Sequence, residues 1–198
     1  MSITIRDARK EDVEIVAWTV LTALDMDTDE MEKYIKSCSK DDSIYSWRNA
    51  IVATVDGTAV GCLIAYEGSR YKELRDKSWL QLWDDMDPEY LKTIEDEAVD
   101  GEFYLDSMAI LPEYRGRSIG RELMAYAIEK GKALGCRCAT LLVDVHKPRL
   151  EAYYQAMGFE QYGEMEYFGH DYKRMRYAKY NRRYKSILVD RAILYVLS

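Results

Sequence analysis

The sequence predicts an α/β (α+β) domain in which helices flank a central sheet, and three observations carry that reading. Residues 105–120, Leu-Asp-Ser-Met-Ala-Ile-Leu-Pro-Glu-Tyr-Arg-Gly-Arg-Ser-Ile-Gly, run from a buried strand through a proline-containing turn into a glycine-punctuated helix start. Asp56 and Gly57 separate two apolar runs, at 50–55 and 58–66, and form the strongest short hairpin signal in the chain. Between 120 and 157 a helix, an apolar strand and a second helix follow one another, so strands and helices alternate as in a layered domain.

At 198 residues the chain is most simply one domain with a sizeable core. The formal net charge of −7 argues against general nucleic-acid binding, which rests on neutralising phosphates. The N-terminus lacks a charged segment followed by an apolar run, so no signal peptide is expected. No apolar stretch approaches bilayer-spanning length, so no membrane partner is expected either. Cys38, Cys62, Cys136 and Cys138 fit neither a disulfide framework nor zinc spacing. They read as reduced packing residues, with no metal and a cytoplasmic location expected.

Taken in order, Ile3 and Ile5 alternate with polar neighbours and predict a short first strand. Val13, Val16, Ala17, Val20, Leu21 and Leu24 recur at helical spacing, and residues 28–37 predict a second helix, acidic at its start as the helix dipole favours. The hairpin follows. Residues 68–101 then read as a helical insertion. Trp79, Leu82, Trp83 and Met86 share one helical face. Asp87 and Pro88 read as an N-cap and first-turn proline opening a further helix that aligns Leu91, Ile94 and Ala98. Residues 67–102 hold twelve acidic and five basic side chains, so this segment alone matches the net of −7 of the whole chain. It reads either as a solvated helical hairpin packed by its tryptophans or as an acidic rim and lid that attracts a cationic amine.

Phe103, Leu105, Ala109 and Leu111 alternate with Tyr104, Asp106, Met108 and Ile110, and both sets are largely apolar, as in a strand covered on two sides. Strand parity puts Glu102, Tyr104, Asp106, Met108 and Ile110 on one face. Pro112 ends the strand. A helix is expected from about Ser118, with Ile119, Leu123, Ala127 and Ile128 inward and Gly135 as its stop. Its start offers unpaired N–H groups and partial positive charge beside Arg115, Arg117 and Arg121, a seat for phosphate. An apolar strand at 140–145, a short helix at 149–157 and a closing antiparallel pair at 163–168 and 172–177 complete the body. The tail, 180–198, starts basic and ends apolar. It reads as packed on the body or as a dimer contact, so a homodimer is one expectation.

Two of these passages together resemble the GNAT acetyltransferase superfamily. Arg115 and Gly120 match the ends of its Arg/Gln-x-x-Gly-x-Gly/Ala pattern, with Ser118 where the middle glycine usually stands. Tyr154-Gln-Ala-Met-Gly-Phe159 resembles its Tyr-x-x-x-Gly-Phe signature, and Lys147 stands where an asparagine is frequent. The resemblance spans residues 3–179 and is strongest over 103–159. It implies a mixed, mostly antiparallel sheet in a domain at 1–179, with the insertion ahead of the cofactor strand.

It also implies acetyl-CoA as cosubstrate and a primary amine of a small molecule or peptide, cationic by the acidic insertion, as acceptor. The backbone of Met108, Ala109 and Ile110 is expected to hold the pantetheine, with the Ile110 N–H as oxyanion donor. Arg115, Gly116, Arg117, Ser118, Ile119, Gly120 and Arg121 are expected to hold the pyrophosphate, with Lys147 and Tyr154 also touching the cofactor. Tyr154 is the expected proton donor to the departing thiolate. A primary amine has a pKa of about 10.4, so its neutral form at pH 7 costs roughly 4–5 kcal/mol and a base is wanted. Asp106 is the first choice and Glu102 the second, with His146 as an alternate and His170 on the substrate side. Two other readings remain open: a non-catalytic acyl-CoA sensor on the same scaffold, and an interaction protein using the acidic insertion and tail.

Overall fold

The computed structural model of the protein describes residues 2–180, so the expectation for the tail lies outside the described residues except at Tyr180. The chain runs β1 (Ile3–Asp7), α1 (Val13–Ala23), α2 (Met31–Cys38), β2 (Ala50–Val55), β3 (Thr58–Glu67), α3 (Tyr71–Leu82), α4 (Pro88–Leu91), β4 (Glu102–Ile110), α5 (Ile119–Ala133), β5 (Cys138–Asp144), α6 (Pro148–Met157), β6 (Phe159–Tyr167) and β7 (His170–Tyr177). The strands form one seven-stranded sheet in the order β1-β2-β3-β4-β5-β7-β6. Every neighbouring pair is antiparallel except β4 and β5. This is the mixed, mostly antiparallel sheet that the sequence led us to expect.

The hairpin forms because Asp56 and Gly57 both take positive φ, 48° and 88°, the backbone twist that a two-residue connection between strands requires. One face of the sheet carries α1, α2 and α3, whose Val16, Val20, Leu21, Tyr34 and Leu74 pack on Val52, Ile64, Tyr66 and Tyr104. The other face carries α5, with Ile119, Leu123, Met124, Ala127 and Ile128 against Ile51, Leu63, Phe103, Leu105 and Leu141. Each fully buried Leu or Ile here contributes roughly 1.5–3 kcal/mol. The α5–β4 approach is close at Gly131, where an added Cβ would lie 2.7 Å from the Phe103 Cβ and 2.6 Å from the Tyr180 Oη.

The insertion departs from the expected helical hairpin. α3 forms as its apolar stripe dictates, with Tyr71, Leu74, Ser78, Trp79 and Leu82 buried, but Arg75 lies in the same stripe and is fully buried too. α4 stops after Leu91, and the chain through Ile94 to Ala98 is not helical. Its carbonyls find side chains instead of helical N–H groups. Arg75 donates to the Leu91 carbonyl at 3.1 Å and to the Asp96 carboxylate at 2.9 Å. Arg174, on β7, donates to the Asp96 and Glu97 carbonyls at 2.7 and 3.3 Å and to the Glu95 carboxylate at 3.1 Å. Two arginines therefore strap 91–97 against the body.

β4 corrects the parity expectation. Ile64 pairs with Ser107 while Ala65 pairs with Leu105, which leaves Asp106 as an extra residue opposite none. One extra residue reverses the alternation. Tyr104 points to the α1–α3 face, yet Met108 and Ile110 point to the α5 face. Glu102, Tyr104, Asp106, Met108 and Ile110 thus do not share one face.

Candidate active site

β4 and β5 pair only at Glu102–Cys138, Phe103–Ala139 and Tyr104–Thr140. Beyond Tyr104 they separate, and a cavity of about 660 Å³ opens in the wedge, reaching from Asp106, Ser107 and Met108 to Leu142 and Asp144 and up to Trp79 and Trp83 of the insertion. The bulge and the separation together free the end of β4. The Leu111 N–H donates to the Val60 carbonyl at 2.9 Å. By antiparallel alternation the backbone groups of Met108 and Ile110 turn away from β3, into the wedge, whereas those of Ala109 turn toward β3. Of the three residues expected to hold pantetheine, two present their backbone groups and Ala109 lies between them.

The turn expected to seat the phosphates lies where α5 begins. Ser118 is its N-cap and sits at φ 64°, the left-handed conformation that favours glycine, so the substitution at this position carries strain of roughly 1 kcal/mol. The Arg121 and Glu122 N–H groups bond to the Ser118 carbonyl. The N–H groups of Ile119 and Gly120 are left at the helix mouth, as the first turn of any helix leaves them. Gly120 matters sterically: a Cβ there would lie 3.1 Å from the Tyr153 Oη and 3.4 Å from the Ile110 Cδ1. Gly116 takes φ 75° in open space. The arginines face different ways. Arg115 donates from Nε to the Ile110 carbonyl at 2.9 Å, Arg117 lies over the Tyr114 ring and donates to the Glu113 carbonyl, and Arg121 lies over the Tyr153 ring. Gly120 without a Cβ, the free N–H groups and the exposed guanidinium groups suit a pyrophosphate. The open β4 edge suits the amide chain of a pantetheine.

Asp106 lies at the cavity wall, with Tyr66 and Ser107 each donating a hydroxyl to it at 2.6 Å. Burial pushes its carboxyl up, the neighbouring Glu97 carboxylate adds to that, and the two hydrogen bonds oppose it, for a pKa of about 6. Tyr154, on α6, borders the same cavity, its ring 5.5 Å from Tyr153 and 5.9 Å from Phe159. Burial, with Tyr153 beside it, pushes its hydroxyl up to about 12. Lys147, the N-cap of α6, lines the cavity as well.

Glu102 is placed elsewhere. It sits at the paired end of β4, accepting from the Val99 N–H at 3.2 Å, the Thr140 hydroxyl at 3.2 Å and the Tyr162 hydroxyl at 3.0 Å. It is a hydrogen-bonded structural carboxylate outside the cavity, because the strands are still paired at Glu102 and part only beyond Tyr104. His146 and His170 are exposed and do not line the cavity. Sequence reasoning missed Glu97. It reaches the cavity and accepts from the Tyr71 hydroxyl at 2.8 Å and the Tyr104 hydroxyl at 2.6 Å, with Tyr167 bonded to Tyr71 at 3.0 Å. The nearest signal was Arg75, a cation on the buried stripe of α3 whose acidic partners are Asp76 on the same helix and Asp96, the residue before Glu97.

Residues 14–159 match the model of the Acetyltransferase (GNAT) family. An N-acetyltransferase from Staphylococcus aureus Mu50 is similar at a TM-score of 0.72 and 26% identity, over 87% of this chain and 99% of its own. The PaiA N-acetyltransferase from Thermoplasma acidophilum, in complex with coenzyme A, is similar at 0.54 and 17%, over 88% and 98%. The ribosomal-protein-S18-alanine N-acetyltransferase from Escherichia coli is similar at 0.58 and 16%, over 88% and 92%. The last two show likeness of fold alone. No curated protein matches the chain. A family match over most of the chain, on a fold similar to those of solved acetyltransferases, leaves one conclusion: the chain belongs to the GNAT family of acetyltransferases.

Proposed function

We propose that the protein is an N-acetyltransferase that moves the acetyl group of acetyl-CoA to a primary amine of a small molecule or peptide. The observation that carries this reading is Asp106, a half-buried carboxylate with a pKa of about 6 on the wall of the cavity where the free edge of β4 and Tyr154 meet. In the transfer, the amine nitrogen forms a bond to the thioester carbon and the C–S bond breaks. As its lone pair enters the new bond the nitrogen becomes acidic, and Asp106 accepts the proton it sheds. The N–H of Ile110, turned into the wedge, donates to the oxygen that gains charge. The thiolate then leaves and takes up a proton, so that one amide and one thiol replace one amine and one thioester.

Tyr154 supports the leaving group by hydrogen bonding. At about 12 its hydroxyl is a weaker acid than a thiol, whose pKa is about 8.5, so giving up its proton outright costs roughly 4–5 kcal/mol. It stays protonated and stabilises the sulfur as charge builds. The test is release of thiol from acetyl-CoA against a panel of primary amines and peptides. Amine-dependent release is expected, and Tyr154→Phe is expected to lower it about 10-fold to 100-fold with CoA affinity retained. Binding of acetyl-CoA with no release for any amine would replace this reading with an acyl-CoA sensor.

A further inference from the structure

The deep end of the cavity has an unusual hydrogen-bond balance. Tyr66 and Ser107 spend their hydroxyl hydrogens on Asp106, and Tyr71 and Tyr104 spend theirs on Glu97. With the Tyr71 hydrogen given to Glu97, Tyr167 spends its own on the Tyr71 oxygen. A hydroxyl has one hydrogen, and an ionised carboxylate has none. These side chains therefore offer the cavity acceptor lone pairs and no hydrogens. An ammonium group is the complement: three donors, no acceptor and a positive charge. Other donors line the same cavity, the Tyr45, Tyr154 and Tyr172 hydroxyls and Lys147 among them, but the indole N–H of Trp79 is buried and without a hydrogen-bond partner among the described residues. It calls for a neutral acceptor atom on the ligand. Trp83 and Phe168 supply apolar surface alongside.

We propose that Glu97, delivered by the insertion, and Asp106 together form a receptor for the acceptor's ammonium group. The receptor selects amines whose neighbouring polar group is neutral, such as an amide, over amines that carry a carboxylate. This deepens the N-acetyltransferase reading and rests on it. A free carboxylate next to the amine brings acceptors and negative charge against acceptors and negative charge. A neutral carbonyl instead satisfies Trp79. Glu97 is a specificity-determining residue in this account, and Asp106 remains the base. Lys147, the cation on the cavity wall, stands at the start of α6.

The experiment compares three probes that differ by one group: leucinamide, leucine, and 4-methylpentanamide, which is leucinamide without its amino group. Binding is read by tryptophan fluorescence in the presence of CoA, since Trp79 and Trp83 line the cavity. Leucinamide is expected to bind at least about tenfold more tightly than either relative, the worth of a charged hydrogen bond. Glu97→Gln is expected to reduce the preference over 4-methylpentanamide about tenfold while leaving CoA affinity unchanged. Equal binding of leucine and leucinamide to the wild-type protein would overturn the proposal without recourse to any variant. Selective binding of leucinamide with no acetylation of it or of any other amine would leave the receptor standing and remove the N-acetyltransferase reading alone.

Discussion

The two faces of β4 are held by opposite means. Toward α5, Phe103 and Leu105 meet a wall of apolar side chains and a close glycine contact. Toward the insertion, Tyr104 and Asp106 meet tyrosines, carboxylates and, behind them, a fully buried arginine. The first face is set by helical and strand periodicity within single elements. The second is set by hydrogen bonds between residues 26, 40 and 96 positions apart. The difference teaches that the face toward α5 is a packing problem and the face toward the insertion a charge-pairing problem, so each fails in its own way.

The sharpest break is expected at Asp106. Asp106→Asn removes the base and is expected to lower turnover about 10²-fold to 10⁴-fold, abolishing the rise in rate centred near pH 6. The same change should stabilise the fold. With its native pKa raised above the ordinary 3.8, the folded state binds this proton more tightly than the unfolded chain. Ionisation therefore weakens folding progressively from about pH 4 to about pH 6, and the loss is complete above that. Urea unfolding is expected to show the Asn variant gaining on the wild type by on the order of 2 kcal/mol between pH 4 and pH 7. A gain independent of pH would deny the carboxylate its half-buried, ionisable character.

Arg75→Met attacks the insertion face alone. It leaves the Asp96 carboxylate and the Leu91 carbonyl without their partner, at a cost of about 3 kcal/mol. Amine preference should fall with it, because the segment that carries Glu97 loses one of its two arginine straps, while CoA affinity persists. Gly131→Ala attacks the opposite face. Its Cβ meets Phe103 and Tyr180, and a loss of about 2 kcal/mol is expected in thermal or urea unfolding, with the amine preference of the folded protein unchanged. Should Gly131→Ala disturb amine preference as much as Arg75→Met, the two faces are not separable. The smallest effect is expected at Ser118→Gly, which relieves a left-handed serine and should stabilise by about 0.5 kcal/mol after the greater freedom of glycine in the unfolded chain is counted.

What was legible in the sequence follows the same division. The Asp56–Gly57 hairpin, β4 with its proline stop, α5 and the helix carrying Tyr154 are local patterns, and they appear where periodicity puts them. The bulge at Asp106 was not legible, because a bulge is defined by the partner strand and β4 alternates smoothly on its own. The reading of Ile94 and Ala98 as helical failed because the arginines that capture the Leu91, Asp96 and Glu97 carbonyls around them come from α3 and β7. Glu102 and Asp106 look alike as carboxylates on one strand. Only the pairing with β5, which ends between them, separates a structural group from one in the cavity.

That ending has a mechanical consequence. Three residue pairs join the β1–β4 portion of the sheet to the β5–β7–β6 portion, and the Glu102 carboxylate ties across the joint to Thr140 on β5 and Tyr162 on β6. From there β4 runs on to Ile110 with no partner on its β5 side, still paired with β3, an arm of about 20 Å at roughly 3.3 Å per residue. A small rotation at that joint would become a larger displacement at the far end. Glu102 thus ties the two portions of the sheet together at the point from which the wedge opens.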